Sequence, residues 1–368
     1  MSERAGVRFV DLSVVGSEAD ELTQLFRTVM TRGMYVLGPE VAAFEAELCA
    51  FHGCRRAVAV ASGTDALILG MRAIGISPGD EVILPAMTAF PTAAAVVEAG
   101  ATPVLVDIQA ESPHLDLERT VAAITLRTKA VILVHLYGVS ADSHRFRSEL
   151  EPRGIQLIED CAQAQGGRLL TGDSVGTAGV FGALSFYPTK NLAALGDAGA
   201  IITNSDAVAE AAISWRSHGE RTTRYHHEVP ARNSRLDDIQ AVVLRNRLTR
   251  LADQITQRRI ISARYERDLE PQLGYVAHGP AGAPHLAVVR TPRRNDLAAA
   301  LSAGGIPTMV HYPTALTEQP GLQKFAVQTP SDNAKRWGAE CLSLPLHLNL
   351  SDEQLGMITS AVNEWTTR

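Results

Sequence analysis

Residues 185–192 read S-F-Y-P-T-K-N-L, so Lys190 comes directly after an apolar segment that is typical of a strand. A lysine in such a place is ordinarily a solvated surface residue, and its meaning depends on partners elsewhere in the chain. Two upstream segments supply candidates. The apolar run I-Q-L-I-E-D ends at Asp160, and V-A-S-G-T-D-A-L, residues 60–67, is typical of a strand, a glycine turn and a helix start.

Apolar runs that alternate with helical patterns predict a mostly parallel sheet around these segments. Because the runs are continuously apolar, we expect their strands to be buried on both faces and joined by helices. Asp107, His135 and Asp160 fall at the carboxyl ends of such strands, the sheet edge where ligands bind. The predicted strands are R-A-V-A-V-A (56–61), E-V-I-L-P (81–85), T-P-V-L-V-D (102–107), K-A-V-I-L-V-H (129–135) and I-Q-L-I-E-D (155–160).

The second part of the chain is typical of a smaller α+β domain. One long amphipathic helix is predicted from about Asp237 toward Leu269. It is followed by the strand H-L-A-V-V-R, a helix that stops at glycine, the strand P-T-M-V-H-Y and a last helix N-capped by Ser351. We therefore predict a large α/β domain over residues 1–245 and a small C-terminal α+β domain over residues 246–368.

The composition of the chain argues against several classes of protein. Of 368 residues, 46% are hydrophobic and 20% charged, with a formal net charge of −6, which indicates a folded protein with a large core. Basic runs with interleaved aromatics and apolar runs of about 18 residues are absent, so we expect no nucleic-acid partner and no membrane span. The four cysteines form no C-x-x-C pair and His226–His227 lacks ligands at zinc spacing, so we expect a cytoplasmic protein without a bound metal.

The run S-G-T-D-A-L, residues 62–67, predicts an anion site at a helix start. Gly63 permits a tight turn, and the amides of Gly63 and Thr64 would open the helix. Unpaired N–H groups and the helix dipole favour a phosphate at that point. An ordinary Ser or Thr helix cap is the alternative interpretation of the same pattern.

A carboxylate and a lysine complete the requirements of pyridoxal 5'-phosphate. A buried Asp160 needs a cationic partner, which a pyridinium nitrogen supplies, and Gln163 would reach the ring hydroxyl. Lys190 would hold the cofactor and move protons as base and acid, while Ser185 would contact the phosphate. A helix-capping Asp160 and a surface Lys190 are the alternatives for each residue alone. Three signals in order on one sheet edge favour the cofactor.

This series of motifs resembles the DegT/DnrJ/EryC1/StrS family of pyridoxal-phosphate-dependent sugar aminotransferases. The matching segments span nearly the whole chain in the order of the family. They are G-M-Y-V-L-G-P-E-V-A-A-F-E (33–45), S-G-T-D-A-L (62–67), G-D-E-V-I-L-P (79–85), G-A-T-P-V-L-V-D (100–107), V-H-L-Y-G (134–138), E-D-C-A-Q-A (159–164), S-F-Y-P-T-K-N-L (185–192), N-S-R-L-D-D-I-Q-A (233–241), V-H-Y-P (310–313) and L-S-L-P-L-H (342–347).

The resemblance implies the type I fold of such enzymes, the aspartate aminotransferase fold. It implies that Lys190 binds the cofactor covalently, that Asp160 pairs with the pyridine nitrogen and that Gln163 lies near the ring oxygen. It also implies a homodimer with shared active sites, in which Asn233 reaches the cofactor phosphate of the neighbouring subunit. The phosphate-binding residues it implies are Gly63, Thr64 and Ser185.

The resemblance implies less about the residues that would contact the substrate. The candidate substrate residues are His135, Tyr137, His311 and Tyr312, and packing is an equally supported role for each. The family usually has an aromatic directly after the threonine of P-x-x-T-F, whose ring stacks on the cofactor. Here Ala89 fills that place and Phe90 follows it, so Phe90 is either the stacking residue or a core residue. Ala231 stands where the family often has glycine, so contacts of the loop 219–232 do not transfer.

The function implied is the transfer of an amino group, with glutamate as the expected donor, to a keto group of a nucleotide-linked deoxysugar in aminosugar or antibiotic biosynthesis. A ketocyclitol aminotransferase with the same mechanism is the nearest alternative. A sugar dehydratase of the same family is disfavoured because that branch has histidine at the position of Lys190. A non-catalytic regulator would be expected to lose Lys190 or Asp160, and an amino-acid β-lyase would not explain the full motif series.

Overall fold

The computed structural model of the chain describes residues 6–221 and 223–367, so parts of both predicted domains lie outside it. Helices and strands alternate through the first two hundred residues, as the apolar runs predict. The helices are α1 Ser17–Arg32, α2 Pro39–His52, α3 Gly63–Ala73, α4 Phe90–Glu98, α5 Leu117–Ala122, α6 Ser143–Leu150, α7 Asp206–Arg216, α8 Asp238–Leu248, α9 Leu251–Asp268, α10 Arg294–Ala303, α11 Asp332–Glu340 and α12 Asp352–Thr366.

In the described part of the chain the central sheet has eight strands in the order β1-β7-β6-β5-β4-β2-β3-β9. Strand β7 pairs antiparallel with both β1 and β6, and the remaining neighbours are parallel. A second sheet pairs β8 with β10 antiparallel. The strands are β1 Arg56–Val60, β2 Glu81–Pro85, β3 Thr102–Val106, β4 Thr128–Val134, β5 Gln156–Asp160, β6 Phe181–Ser185, β7 Gly199–Thr203, β8 Ala287–Arg290, β9 Val327–Gln328 and β10 Cys341–Leu344.

The central sheet is buried on both faces, which is why its strands are continuously apolar. In β2, Val82 and Leu84 pack into one core cluster while Ile83, between them, packs into another. Successive side chains of a strand point to opposite faces, so the two clusters lie on opposite sides of the sheet. The predicted α/β class with a mostly parallel sheet is confirmed, together with the five predicted strands of its first half.

The C-terminal part packs α9, α10 and α12 with the small sheet around its own core, which includes Leu297, Leu342 and Ile358. The predicted start of the last helix is confirmed, since Ser351 and Gln354 form a reciprocal capping box. Strand β9 nevertheless joins the edge of β3 in the large sheet. The domain boundary after residue 245 stays a prediction. Among the residues described, no helix is long and apolar enough to cross a membrane.

Two predicted elements are wrong. The long helix from Asp237 is broken between α8 and α9. In an uninterrupted helix the Arg250 amide would donate to the Asn246 carbonyl. Here the Thr249 hydroxyl donates to that carbonyl at 2.8 Å, and the Arg250 amide donates to the Arg247 carbonyl at 3.1 Å.

The predicted strand P-T-M-V-H-Y, residues 307–312, is also absent. Of these six residues Met309 alone forms a bridge, antiparallel to Ser343. Pro307, the first residue of the segment, and Pro313, which follows it, have no N–H to donate. The His311 carbonyl accepts from the Tyr137 hydroxyl instead of from a strand.

Candidate active site

The start of α3 lies directly against the end of β6 at the carboxyl edge of the sheet. A Cβ on Gly63 would lie 2.6 Å from the Cβ of Ser185, closer than two such atoms can approach. A Cβ on Gly199, the first residue of β7, would lie 2.3 Å from the Ser62 carbonyl oxygen. Glycine at both positions therefore allows the turn before α3 to sit beside the Ser185 hydroxyl.

This turn presents unpaired donors. The Ser62 hydroxyl caps α3 by accepting from the Asp65 amide at 3.1 Å, and the Ala66 amide makes the first helical hydrogen bond, to the Ser62 carbonyl at 3.0 Å. The amides of Gly63 and Thr64 precede that bond and point out of the helix start. With the adjacent Ser185 hydroxyl and the helix dipole they form an arrangement suited to a phosphate.

Asp160 is buried at the end of β5, held by two hydrogen bonds. The Thr92 hydroxyl donates to its Oδ2 at 2.9 Å, and the Ala162 amide donates to its Oδ1 at 3.1 Å. Burial raises the pKa of Asp160, against the effect of these donors and of the Lys190 charge. A protonated ring nitrogen placed against this carboxyl would favour its ionised form.

Lys190 follows β6 in a loop and is close enough to Asp160 for each charge to affect the pKa of the other. Burial lowers the pKa of the Lys190 amine to about 8, while the negative charge of Asp160 acts in the opposite direction. A larger share of the amine than is usual for lysine is therefore neutral and nucleophilic near neutral pH. The structure brings together the amine and the carboxylate that the sequence pairs.

Gln163 is oriented by two tyrosines. Its Oε1 accepts from the Tyr137 amide at 2.6 Å, and its Nε2 donates to the Tyr312 hydroxyl at 3.1 Å. Burial, and then the charge of Asp160, raises the pKa of Tyr312 to about 12, so this hydroxyl keeps its proton and lies near the Asp160 carboxyl. Tyr312 therefore belongs to the polar surroundings of the candidate cofactor site.

Tyr137 and His135 point into the protein interior. The Tyr137 hydroxyl donates to the His311 carbonyl and accepts from Trp337 Nε1, and the side chain is fully buried. The Ala141 amide donates to Nδ1 of His135 at 3.0 Å, so the proton is on Nε2, which donates to Glu159. These partners favour the packing alternative for both residues.

His311 lies nearer to open space. Its ring Nδ1 contacts the Ser343 hydroxyl at 2.9 Å, and the ring stacks on Phe9 with centroids 6.0 Å apart. Burial, and then the positive charge of Lys190, lowers the pKa of His311 to about 4, so the imidazole is neutral. His311 also lines a cavity of about 100 Å³ together with Thr189, next to Lys190.

Phe90 and Asn233 have exposed side chains. Phe90 begins α4 two residues before Thr92, and its ring, 41% exposed, lies near Gly321. Asn233 pairs with Ser217 in a bridge, while its neighbours on both sides, Arg232 and Ser234, bind Asp65 of α3. The stacking role of Phe90 and the reach of Asn233 into a second subunit stay predictions.

Thr92 is a site residue that the sequence pattern did not identify. Its bond to Asp160 joins positions 68 residues apart, and the Thr88 hydroxyl lies 3.2 Å from its own. The signal was present in P-A-M-T-A-F-P-T, where threonines recur at the spacing of one helical turn.

These residues fit pyridoxal 5'-phosphate on three independent observations. The glycine-lined turn before α3 leaves donors for a phosphate, Asp160 has a raised pKa that a pyridinium would offset, and the Lys190 amine has a lowered pKa. Gln163 stands beside Asp160 with both ends of its amide oriented. The chemistry of the donor set matches the phosphate, ring and aldehyde of one molecule.

Comparison with known sequences agrees with this geometry. A sequence profile of the DegT/DnrJ/EryC1/StrS aminotransferase family matches residues 17–363. A dTDP-3-amino-3,4,6-trideoxy-alpha-D-glucose transaminase of Streptomyces venezuelae is 40% identical over 380 aligned positions, covering 100% of this chain and 99% of that protein. A pleiotropic regulatory protein of Geobacillus stearothermophilus is 37% identical and covers 94% of both chains.

Comparison with solved structures supports the fold. The crystal structure of DesV from S. venezuelae, in complex with a ketimine intermediate, superposes with a TM-score of 0.93 at 39% identity and covers 99% of both chains. Other similar structures contain pyridoxal or pyridoxamine phosphate. The predicted type I fold is thereby confirmed.

Proposed function

This chain belongs to the DegT/DnrJ/EryC1/StrS aminotransferase family, and on that premise we propose that it transfers an amino group from glutamate to a keto group of a nucleotide-linked deoxysugar. It is a pyridoxal-phosphate-dependent enzyme. The observation that carries the proposal is the pairing of Lys190 with Asp160 at the carboxyl edge of the sheet. The nucleotide-linked sugar is supported by relatives at 36–40% identity that act on dTDP- or UDP-linked sugars.

Each candidate residue would hold one part of the cofactor. The phosphate would be bound by the amides of Gly63 and Thr64 and by the hydroxyls of Thr64 and Ser185. Asp160, fixed by Thr92, would face the ring nitrogen. When bound, the cofactor supplies an aldehyde that condenses with amines and a protonated ring that accepts an electron pair.

The chain's own contribution to catalysis is proton transfer and orientation. The lowered pKa of Lys190 makes its Nζ a base that can remove the proton from Cα of the donor amino acid near neutral pH. The same Nζ, once protonated, delivers a proton to the former keto carbon of the sugar. Gln163 and Tyr312, which share a hydrogen bond, would fix the position of the oxygen on the cofactor ring and thereby the plane of the reacting groups.

We also propose that a second copy of the chain completes the site. Asn233 is exposed beside α3, and residues 34–37 form an exposed apolar run on the same face. That run is tied to the segment after Asn233 by the bridge from Val36 to Asp237 and by the Asp238 carboxylate, which accepts from the Gly38 amide at 2.7 Å. Tyr187 and Leu195, on the loop that carries Lys190, are also exposed.

The proposed reaction is tested through its two half-reactions, the one with the amino acid run forward and the one with the sugar run in reverse from the aminosugar. The purified pyridoxal form is mixed with a panel of nucleotide-linked aminosugars, aminocyclitols and amino acids, and the loss of the pyridoxal absorbance is followed. We expect conversion with glutamate and with at least one nucleotide-linked aminosugar. Conversion by aminocyclitols alone would favour the ketocyclitol alternative, and conversion by neither group would contradict the proposal.

One relative is named as a regulatory protein, which supports a non-catalytic alternative. The half-reaction experiment also tests this alternative. Lys190 and Asp160 are both retained here, which favours catalysis. The Lys190→Ala variant is the matched control, since it should show no half-reaction with any amine of the panel. We further propose a cytoplasmic location, which the four free cysteines of the described chain support.

A further inference from the structure

Arg258 of α9 places a buried guanidinium on a cavity that the active-site lysine also lines. Its side chain and Lys190 line the same cavity, of about 230 Å³, which also borders Gln254 and His347. Arg258 is 8% exposed, so its charge is removed from water. A buried charge is costly unless an opposite charge or several hydrogen bonds compensate for it.

Within the described residues Arg258 has little compensation. Its one hydrogen bond there runs from Nη1 to the Pro284 carbonyl at 3.3 Å, and none of the salt bridges of the described chain includes it. Burial lowers the pKa of Arg258 to about 10, which reflects the cost of holding this charge. The guanidinium therefore keeps most of its donors available to a ligand.

The groups around the guanidinium do not neutralise its charge. Burial, followed by the charges of Lys190 and Arg258, lowers the pKa of His285 well below its usual value. Two carboxylates also border the cavity, but both have other partners: Asp11 accepts from Ser13 and Asn349, and Glu18 pairs with Arg247 at 2.7 Å. Arg258 therefore lines the cavity without a carboxylate partner in the described chain, which suits an anionic group of a substrate.

We propose that Arg258 binds a carboxylate of the amino-acid donor and holds that donor against Lys190. The inference rests on the proposed function, because it names the subsite that one of the two substrates would occupy. A guanidinium matches a carboxylate with two parallel hydrogen bonds. The cavity is below the roughly 300–1,000 Å³ of pockets for drug-sized ligands, which favours an amino acid over a nucleotide-linked sugar.

The first test measures binding without turnover. Succinate, a dicarboxylate that has no amine, is titrated calorimetrically into the pyridoxal form of the wild type and of Arg258→Met. Methionine is chosen because proteins often tolerate the replacement of a buried charged residue by an apolar residue of similar volume. We expect Arg258→Met to weaken succinate binding about 10- to 100-fold and Arg258→Lys to weaken it less. Unchanged binding in folded Arg258→Met would overturn the inference.

Arg259 provides a matched control on the same helix. It donates to the carbonyl oxygens of Gly282 at 2.8 Å and Ala281 at 3.3 Å, and in the described chain it has no carboxylate partner either. It is not among the residues that border the Lys190 cavity. Arg259→Met should therefore keep the wild-type affinity for succinate. An equal loss in both variants would point to a general structural effect and contradict a specific role for Arg258.

The second test separates the inference from the proposed function. In single-turnover half-reactions, Arg258→Met should require about 10- to 100-fold more glutamate for half-maximal rate but the same concentration of a productive nucleotide-linked aminosugar. A shift for the aminosugar instead would overturn the inference and assign the guanidinium to the sugar substrate. Failure of every aminosugar with the wild type would contradict the proposed function alone, because succinate binding still tests Arg258.

The choice of donor distinguishes the two carboxylates of glutamate. Isoglutamine lacks the α-carboxylate and glutamine lacks the side-chain carboxylate. If Arg258 binds the α-carboxylate, the wild type should discriminate against isoglutamine and Arg258→Met should lose that discrimination. If it binds the side-chain carboxylate, the same pattern should appear with glutamine, and undiminished discrimination against both amides in the variant would contradict the inference.

Discussion

Asp160 and Lys190 show at the scale of single residues how burial prepares chemistry. Burial raises the pKa of Asp160 and lowers that of Lys190, so each group is pushed toward its neutral form. Opposite charges at close range counteract both shifts. A cofactor with a cationic ring nitrogen and an aldehyde would satisfy the carboxylate and react with the amine.

The pH dependence of cofactor attachment follows from the lowered pKa of Lys190. The neutral amine is the reactive form, so the rate of attachment to apoenzyme should rise with pH and level off above about 8, instead of near the usual value of 10.5. The measurement is stopped-flow absorbance over a pH series. Asp160→Asn removes a charge that raises this pKa, so its midpoint should move lower. A midpoint near 10.5 in the wild type would contradict the assignment.

Thr92 should act through Asp160. Thr92→Val removes the hydroxyl that donates to Oδ2 while keeping the shape of the side chain. We expect cofactor affinity to fall roughly 10- to 100-fold, in line with the loss of one hydrogen bond to a charged group, about 1.5–3 kcal/mol. Equilibrium dialysis of pyridoxal phosphate gives the constant, and Thr92→Ser is the control that should restore it. Equal affinity in the valine variant would argue that Thr92 does not position Asp160.

At the scale of elements, the site depends on how closely α3 approaches β6. The helix start must lie against Ser185 for its amides and the hydroxyl to face one phosphate, and the absence of a side chain at Gly63 permits this approach. The position of the helix relative to the strand thus depends on the absence of a side chain at Gly63 as well as at Gly199.

Gly63→Ala should separate the helix from the strand. The added Cβ would meet Ser185 Cβ at 2.6 Å, so we expect the free energy of unfolding to fall by about 1–3 kcal/mol and phosphate binding to weaken. Chemical denaturation and cofactor titration measure the two effects. Gly356→Ala in α12 is the control, because its nearest atom, Arg264 Nη2, would be 3.6 Å away. The same small effect in both variants would show that the close approach is not required.

The elements differ in how far the sequence predicts them. Strands such as β2 and β5 are predictable because burial on both faces makes them continuously apolar. The break between α8 and α9 is not, because the apolar periodicity continues through it while the Thr249 hydroxyl takes the Asn246 carbonyl. The backbone hydrogen bonding changes at this boundary, where the Arg250 amide donates to the Arg247 carbonyl, and no periodic pattern records that change.

The residues of the site also differ in how far the sequence predicts them. Lys190, Asp160 and the turn at Gly63 follow strands in recognisable local patterns, so they are predictable from the sequence. The Thr92 contact depends on bringing together residues that are far apart in the chain. Arg258 lies within an amphipathic helical pattern, and its burial without a carboxylate partner in the described chain becomes visible only when α9 packs beside the loop of Lys190.

At the scale of the whole molecule, the proposed second copy would bring Asn233 of one subunit to the phosphate of the other. Mixing inactive Lys190→Ala and Asn233→Ala chains would then create one site with both residues intact. We expect partial recovery of activity, up to about half of the wild type in purified mixed dimers if each intact site works independently. Activity assays on purified mixed dimers provide the measurement, and no recovery in verified mixed dimers would contradict shared sites.

In the proposed reaction, Lys190 and its partners move nitrogen from an amino acid to a nucleotide-linked sugar. The most direct measurement supplies ¹⁵N-glutamate and a panel of nucleotide-linked ketosugars to the pyridoxal-phosphate-loaded enzyme, and determines the isotope in the products by mass spectrometry. We expect ¹⁵N in at least one aminosugar with the wild type and none with Lys190→Ala. Release of 2-oxoglutarate with no ¹⁵N in any nucleotide-linked sugar, or undiminished transfer by the alanine variant, would contradict it.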